Sequence, residues 1–219
     1  MTPVSLKPRI SFIVPTAGRP SIEYCLASIV PQLWPGDEVL VIGDITDGPL
    51  ARTEKIVESF GPQAIYMPCP VTEHSWGHRE INFGMTRAEG DWLSFNDDDD
   101  IWTPGSVDVI HSAVAVADGR PILFRFLTYH GFVAWTRRDL FQQDQVGGHC
   151  IVCPNNPDKT GKWSDRYQGD WDFIESTVDL HGGPGQIIWR EEVIAVARPD
   201  NTVVSSVMSK AGRLTKDLI

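Results

Sequence analysis

The sequence predicts an α/β fold in which a mostly parallel central sheet is flanked by helices and followed by a smaller mixed or antiparallel second half. Short apolar runs alternate with amphipathic helical stretches four times in the first hundred residues, the pattern of a parallel sheet. Beyond them the alternation becomes irregular. Hydrophobic residues make up 42% of the 219 residues, enough for one contiguous core, so we expect a single domain.

The first unit is an apolar strand at 10–14, closed by Pro15, with a following helix that Ser21 is expected to cap. The later units of this half are strands at 38–42, 64–67 and 92–95, and helices at 50–60 and 77–88. Open parallel sheets bind ligands beyond the carboxyl ends of their strands. The loops after Val14, Ile42 and Phe95 should therefore share one crevice.

In the second half, the pattern predicts a helix at 104–117 and a hairpin of two strands at 122–127 and 132–135. Residues 147–170 are rich in Gly, Pro, Asn and Asp and predict a long loop over the crevice. The tail from 201 to 219 predicts a marginal or frayed helix whose last cations are Lys210, Arg213 and Lys216.

Charge and apolar run length exclude several classes of protein. The 19 basic and 29 acidic residues give a net charge of −10, which repels polyanions, so nucleic acid and anionic membranes are not the expected partners. No apolar run approaches the ~18 residues of a spanning helix, and we expect a soluble, cytoplasmic protein without a signal peptide. The four cysteines, expected to be reduced thiols, are Cys25, Cys69, Cys150 and Cys153.

The strongest chemical signal is a run of four aspartates, from Asp97 to Asp100, directly after the strand at 92–95. Adjacent carboxylates repel one another, and a hard divalent cation with oxygen ligands removes that penalty. Since the preceding strand directs the run toward the crevice, we predict a metal site there.

Four segments in order resemble family 2 glycosyltransferases of the GT-A fold, which is Rossmann-like: residues 10–16, 39–44, 82–84 and 88–102. The last carries the most specific pattern, A-x-G-D-x-x-x-F-x-D-D-D-D-x-W. The resemblance covers roughly the first half of the chain. It implies metal-dependent, inverting transfer of a sugar from a nucleotide-diphosphate sugar to an acceptor hydroxyl. Residues 1–103 would then form the donor-binding half and 104–200 the acceptor-binding half.

Residue by residue, the resemblance places the D-x-D motif on Asp97, Asp98 and Asp99. Asp97 would lie near the ribose or the metal, Asp98 would help to bind the donor, and Asp99 would ligate Mn²⁺ or Mg²⁺ at the diphosphate. The nucleoside would contact Pro15, Thr16 and Asp44, and a UDP-sugar is the favoured donor.

The sequence departs from the family at two positions near the donor. Ile45 and Thr46 follow Asp44 where relatives often carry Gly and Ser, which weakens the assignment of the base. Ile81 replaces the usual Arg before the Asn of the third helix, so Arg79 is the candidate for the diphosphate.

In the second half, residues 169–174 resemble the segment that carries the catalytic carboxylate of inverting members. Gly169 stands where an acidic residue is common, so we assign the base to Asp170, with Asp172 as second choice. As an alternative to the base, Asp170 would also suit the N-cap position of a helix. His181, like His149, is a candidate third metal ligand or acceptor contact.

Two other functions compete with the transferase. His78 and Glu80 form an H-x-E element and Cys150 and Cys153 a C-x-x-C element, the parts of a zinc-dependent nucleobase deaminase. A sugar-nucleotide-binding protein without turnover would keep the metal motif alone. For a transferase, the acceptor would be a carbohydrate, a lipid-linked molecule or a protein; a nucleic acid is less expected, although basic residues lie at 137, 138, 159, 162 and 166. The oligomeric state stays open.

Overall fold

The computed structural model describes residues 7–210 except 72, 74 and 139, and it contains eight strands and six α-helices within that range. The strands are β1 Ile10–Thr16, β2 Glu38–Gly43, β3 Ala64–Pro68, β4 Trp92–Phe95, β5 Ile101–Trp102, β6 Ile122–Leu127, β7 Ile151–Pro154 and β8 Ile188–Val196. The helices are α1 Ile22–Ile29, α2 Ala51–Glu58, α3 His78–Met85, α4 Ser106–Val114, α5 Gly169–Leu180 and α6 Asn201–Lys210.

All eight strands belong to one sheet with the order β3-β2-β1-β4-β7-β6-β8-β5. The first four are parallel, β7 is antiparallel to both neighbours, β8 is parallel to β6, and β5 is antiparallel to β8. The predicted α/β class is therefore confirmed, with a parallel first half and a mixed second half.

Strand β1 lies inside the sheet between β2 and β4, and all seven of its residues are buried. Phe12 and Val14 belong to one hydrophobic cluster and Ile13 to another, since successive side chains of a strand point to opposite faces. Helices α1 and α4 cover the first face, and α3 and α5 contribute to the second. Helices on both faces explain why the strand is buried on both sides and mostly apolar.

Two local predictions are wrong. Ser21 holds the N-cap position of α1, but its side chain makes no capping hydrogen bond; its backbone carbonyl accepts from the N–H groups of Tyr24 and Cys25. The second strand of the predicted hairpin does not form, and a single bridge joins Leu127 to Val133. Trp135 is buried instead, and its Nε1 donates to the carbonyl of Phe124.

The predicted loop at 147–170 contains strand β7, which fills the sheet position between β4 and β6. Strands β5 and β8 were not predicted either. β5 has two residues, and β8 carries three consecutive charged residues, so neither shows a strong strand pattern.

Helix α6 occupies the start of the predicted tail as far as Lys210, whereas Arg213 and Lys216 lie outside the described residues. The four cysteines are buried free thiols, as expected. In the described part of the chain, no helix is long and apolar enough to cross a membrane.

Candidate active site at the carboxyl ends of the strands

A cleft of about 550 Å³ opens where β1, β2 and β4 end and α5 begins. It is the crevice expected from the sheet topology, because parallel strands present their carboxyl ends at one edge. The residues predicted for the transferase site that line it are Pro15, Thr16, Asp44, Asp97, Asp98, Asp99, His149 and Asp170.

The ends of β1 and β2 bring the predicted nucleoside residues together. The N–H of Asp44 donates to the carbonyl of Thr16 at 2.8 Å, so the two loops leave the sheet side by side. The Thr16 hydroxyl donates to Oδ2 of Asp98 at 2.5 Å and accepts from the N–H of Gly18 at 3.0 Å. The first loop and the acidic run are thereby joined directly.

The middle of the acidic run is partly neutralised by arginines. Burial raises the pKa of Asp98 to about 6, although the Thr16 hydroxyl and the charge of Arg19 oppose the rise. Oδ2 of Asp99 lies 2.6 Å from Nη1 of Arg19 and 3.5 Å from Nε of Arg198. The carboxylate expected to ligate the metal is therefore engaged by two guanidinium groups.

Asp97, Asp100 and His149 form the group of potential metal ligands in the described residues, with ligand atoms within 4.8 Å of one another. Nε2 of His149 is hydrogen-bonded to Oδ2 of Asp100 and lies 3.9 Å from Oδ2 of Asp97. The other Asp100 oxygen accepts from the N–H of Arg198 at 2.7 Å. Burial lowers the pKa of His149, but Asp100 and Asp97 together raise it to about 9. His149 comes from the second half of the chain, just before β7.

His181 does not line this cleft. It lies at the C-terminal end of α5, where its Nδ1 is 2.8 Å from the carbonyl oxygen of Thr177. The structure therefore does not bring His181 into the metal-ligand group, and His149 takes that place.

The two candidate bases at the start of α5 face different surroundings. Asp170 lines the cleft, its Oδ1 accepts from the N–H of Trp171 at 2.8 Å, and burial raises its pKa. Asp172 lies outside the lining and accepts hydrogen bonds from Ser164 and from Nε of Arg166, the latter at 2.7 Å. The Arg166 hydrogen bond lowers the pKa of Asp172 to about 2. The N-cap residue of α5 is Gln168, so Asp170 is not the cap.

Gly169, the departure from the family pattern, has a packing explanation. A Cβ at this position would lie 2.3 Å from the carbonyl oxygen of Ser164 and 2.4 Å from Nδ1 of His78. His78 itself is fixed by a 2.8 Å contact from Nδ1 to that same carbonyl, and burial lowers its pKa. Any side chain at 169 would push α5 away from α3.

Arg79 points away from the cleft. It pairs with Glu73 and Asp165 and lines a smaller depression that includes Lys162. Arg19 and Arg198 line the main cleft instead, and neither was predicted from the sequence to be a site residue. A signal existed for Arg19, which lies in the loop after the first strand. Arg198 had none, because the strand before it was not predicted.

The parts of the deaminase do not assemble. Cys150 and Cys153 are fully buried in the hydrophobic core, neither lines the cleft, and the described metal-ligand group contains no cysteine. Burial also raises the pKa of Cys150 to about 12, as expected for an inert thiol in the hydrophobic core. The structure overturns this alternative.

The fold resembles solved glycosyltransferase structures. S. aureus TarS matches with a TM-score of 0.68 and 15% identity, over 93% of this chain and 39% of TarS. TarS 1–349 in complex with UDP-GlcNAc matches with a TM-score of 0.64 and 15% identity, over 93% of this chain and 65% of that one. This chain thus spans 39% to 65% of the length of these TarS chains.

Glucosyl-3-phosphoglycerate synthase from Mycobacterium tuberculosis, in complex with Mn²⁺, UDP-glucose and phosphoglyceric acid, matches with a TM-score of 0.65 and 16% identity. That match covers 95% of this chain and 81% of the synthase. No curated protein sequence matches the chain. The sequence model of the family Glycosyl transferase family 2 matches residues 11–116, which include β1 to β5 and the whole acidic run. Over these residues, slightly less than half of its length, the chain matches the family 2 glycosyltransferases, and its fold is the GT-A fold of the similar solved structures.

Proposed function

We propose that the protein transfers a sugar from a UDP-sugar to an acceptor hydroxyl, with inversion at the anomeric carbon and with the help of a divalent cation. One observation carries the proposal: a single cleft holds the residues expected at the nucleoside, three aspartates of the acidic run and the carboxylate of Asp170. The similar structures solved with UDP-GlcNAc and UDP-glucose support a uridine nucleotide.

For the donor, Pro15, Thr16 and Asp44 contact the nucleoside, as the family resemblance implies. Arg19 and Arg198 are the cations near the diphosphate, since Arg79 is paired with acidic residues outside the cleft. Residues 1–103 supply most of the donor site. Residues 104–200 supply the acceptor side and also contribute His149 to the metal site.

For the cation, we assign Asp97, Asp100 and His149 as ligands. Two carboxylates suit Mn²⁺ or Mg²⁺, and an imidazole favours a transition metal, so this set fits Mn²⁺ better than Mg²⁺. Held by these residues, a divalent cation would supply the positive charge that stabilises the departing UDP. Asp99, held by the two arginines, orients them rather than coordinating the metal.

For the proton, Asp170 is the general base. The acceptor oxygen forms a bond to the anomeric carbon as the bond from that carbon to the diphosphate oxygen breaks, and the hydroxyl proton passes to Asp170. Even with a raised pKa, a carboxylate is too weak to deprotonate an alcohol beforehand, so proton transfer accompanies bond formation. Attack from the face opposite the leaving group gives inversion.

The decisive experiment is a thermal-shift screen with UDP, GDP, CDP and dTDP, with and without Mn²⁺, followed by turnover of the matching sugar nucleotides. A ligand at about 100 times its Kd adds about 2.7 kcal/mol, so UDP with Mn²⁺ should raise the Tm by several degrees. Absence of any nucleotide-dependent shift contradicts the proposal. Nucleotide binding without transfer or hydrolysis would indicate a sugar-nucleotide-binding protein.

Two histidine variants test the metal assignment. His149→Gln should abolish the Mn²⁺-dependent part of the shift because it removes the imidazole ligand. His181→Gln is the matched control and should retain it, since His181 lies outside the cleft. Asp99→Asn tests whether Asp99 is a metal ligand instead. If Asp99→Asn abolishes Mn²⁺ binding and His149→Gln does not, the metal lies on Asp99 and our ligand set is wrong.

A further inference from the structure

We propose that the acceptor is an uncharged carbohydrate and that Trp76 and Tyr167 bind its sugar rings at the mouth of the cleft. This inference rests on the proposed transferase function and names its acceptor class. Both aromatic rings are exposed at the cleft, and the charges around them do not suit an anion.

Trp76 lies in the segment between β3 and α3, lines the cleft and is 63% exposed. Its φ of 49° is unfavourable for a bulky residue. The next residue, Gly77, has a φ of 83°, and a Cβ there would lie 2.9 Å from Cβ of Pro15. Gly77 thus packs against the first cleft loop, and the strained backbone keeps a large apolar side chain in solvent. Such strain at a cleft is typical of a binding role.

Tyr167, which is 74% exposed, lines the same cleft two residues before α5 begins. Its segment is held in place, since Asn82 and Trp163 exchange hydrogen bonds of 2.7 and 3.1 Å. Gly169 packs against the ring of His78, so the segments carrying Tyr167 and Trp76 meet next to the cleft. Aromatic faces with a polar edge are suited to the apolar faces of sugar rings.

The charge of the cleft argues against an anionic acceptor. In the described part of the chain no lysine lines the cleft, and its two arginines, Arg19 and Arg198, are both paired with Asp99 on the donor side. The acceptor side offers neutral amides and carboxylates, among them Gln143, Asp144, Gln168 and Asp170.

Of the two lining histidines, His78 has a lowered pKa and is neutral at pH 7, and His149 is paired with Asp100. A phosphorylated or carboxylated acceptor would meet repulsion from the cleft carboxylates and find no unpaired cation among the described lining residues. Hydroxyl groups, in contrast, can hydrogen-bond to both amides and carboxylates.

The test uses the whole protein loaded with UDP and Mg²⁺, and saturation-transfer NMR with two sets of probes. The neutral set is cellotriose, maltotriose, chitotriose and mannotriose; the anionic set is glucose 6-phosphate, glucuronic acid and 3-phosphoglycerate. In parallel, UDP release from the donor selected by the screen is measured with each probe. We expect binding and stimulated UDP release with at least one neutral probe and with no anionic probe.

Variants then assign the binding to the two rings. Trp76→Ala and Tyr167→Ala should each raise the KM for the neutral probe on the order of 3- to 10-fold, with little change in kcat, because a stacking face is lost. Trp76→Phe should restore most of the affinity. Phe132→Ala is the control, since the exposure of Phe132 is similar to that of Trp76 but Phe132 lies outside the cleft lining.

The thermal shift with UDP and Mn²⁺ is recorded for every variant and separates the two proposals. If the wild-type protein shows no thermal shift with UDP and Mn²⁺, the transferase function itself is contradicted. With that shift intact, the acceptor proposal is overturned by stimulation from an anionic probe, by absence of binding of every neutral probe, or by an unchanged KM in both alanine variants.

Discussion

At the scale of single residues, four consecutive aspartates occupy four different environments. Asp97 is exposed, Asp98 accepts from Thr16, Asp99 pairs with two arginines, and Asp100 is buried against His149. The chain turns directly after β4, so neighbouring side chains point in different directions. A repeated residue type in the sequence thus supports several different roles.

Asp170→Asn should lower kcat by on the order of 10²–10⁴, the usual contribution of a positioned general base. The amide keeps the size of the side chain but cannot accept the acceptor proton. Steady-state kinetics with the selected donor measures the effect, and the nucleotide thermal shift should be unchanged. Asp172→Asn is the matched control and should stay within a few-fold of wild type, because Asp172 points away from the cleft. The opposite ranking would move the base to Asp172.

Asn96→Leu should raise the Tm. Asn96 is 3% exposed, and neither polar atom of its amide has a hydrogen-bond partner among the described residues. An unpaired buried polar group costs about 1–3 kcal/mol, and leucine has a similar shape without polar atoms. Scanning calorimetry should show a rise of about 2–4 °C per kcal/mol regained. A lower Tm would mean that the amide has a partner in solution, such as a bound water.

At the scale of elements, the start of α5 decides which carboxylate reaches the cleft. Gly169 packs against α3, Asp170 projects into the cleft, and Asp172 binds the preceding segment. Residues two apart on a helix lie on different sides, so a motif with two nearby aspartates presents only one of them to the acceptor. The close contact at Gly169 fixes which one.

Gly169→Ala should destabilise the protein by about 1–3 kcal/mol, the usual cost of an overpacked site. The added methyl group would overlap the Ser164 carbonyl and the His78 ring. Urea denaturation measures the loss. Gly185→Ala is the control, because nothing lies within 4 Å of a Cβ there. Equal stability of the two variants would show that the contact between α3 and α5 is looser than described.

The pair of Asp172 and Arg166 should contribute stability that depends on pH. Hydrogen bonding lowers the pKa of Asp172 from its usual value of about 3.9 to about 2 in the folded protein. A depressed carboxyl pKa stabilises the fold above the unfolded value, and the contribution disappears as pH falls from about 4 toward 2. Asp172→Asn should therefore lower the Tm at pH 6 but less at pH 3. Because Arg166 is exposed, solvent screening should keep the difference small. An identical difference at both pH values would contradict this.

At the scale of the whole molecule, a net charge of −10 is combined with several arginines that are paired with acidic residues. Arg138 pairs with Glu191, and Arg166 with Asp172, so part of the basic stretch noted in the sequence is neutralised. Arg19 and Arg79 are likewise paired with acidic residues. The described surface therefore offers no arginine cluster free of acidic partners at these positions.

The protein should not bind duplex DNA at about 100 mM salt. Binding to DNA depends on releasing counterions with unpaired lysines and arginines, and a negative field opposes it. Fluorescence anisotropy with a labelled duplex, titrated from about 20 to 200 mM salt, measures this. Micromolar affinity with a steep negative dependence on salt would reopen the nucleic-acid acceptor.

Sequence alone determined the parallel half of the sheet and the position of the acidic run, because apolar periodicity is a local property that residues 10–95 express clearly. It also indicated the resemblance to family 2 glycosyltransferases, whose sequence model matches residues 11–116. The assignment of Asp170 over Asp172 as the base stays a prediction, although only Asp170 lines the cleft.

Only the tertiary structure decided which residues from distant parts of the chain meet at the cleft. His149 joins Asp97 and Asp100 because β7 inserts beside β4. This brings His149 to Asp100 across 49 residues of sequence, a contact that no local pattern encodes. Arg198 reaches the acidic run because β8 pairs with β5. Arg79 does not line the cleft, because its ion pairs with Glu73 and Asp165 hold it outside. Periodicity predicts which face of an element is buried, whereas the neighbours of a side chain depend on the order of the strands, which long-range packing determines.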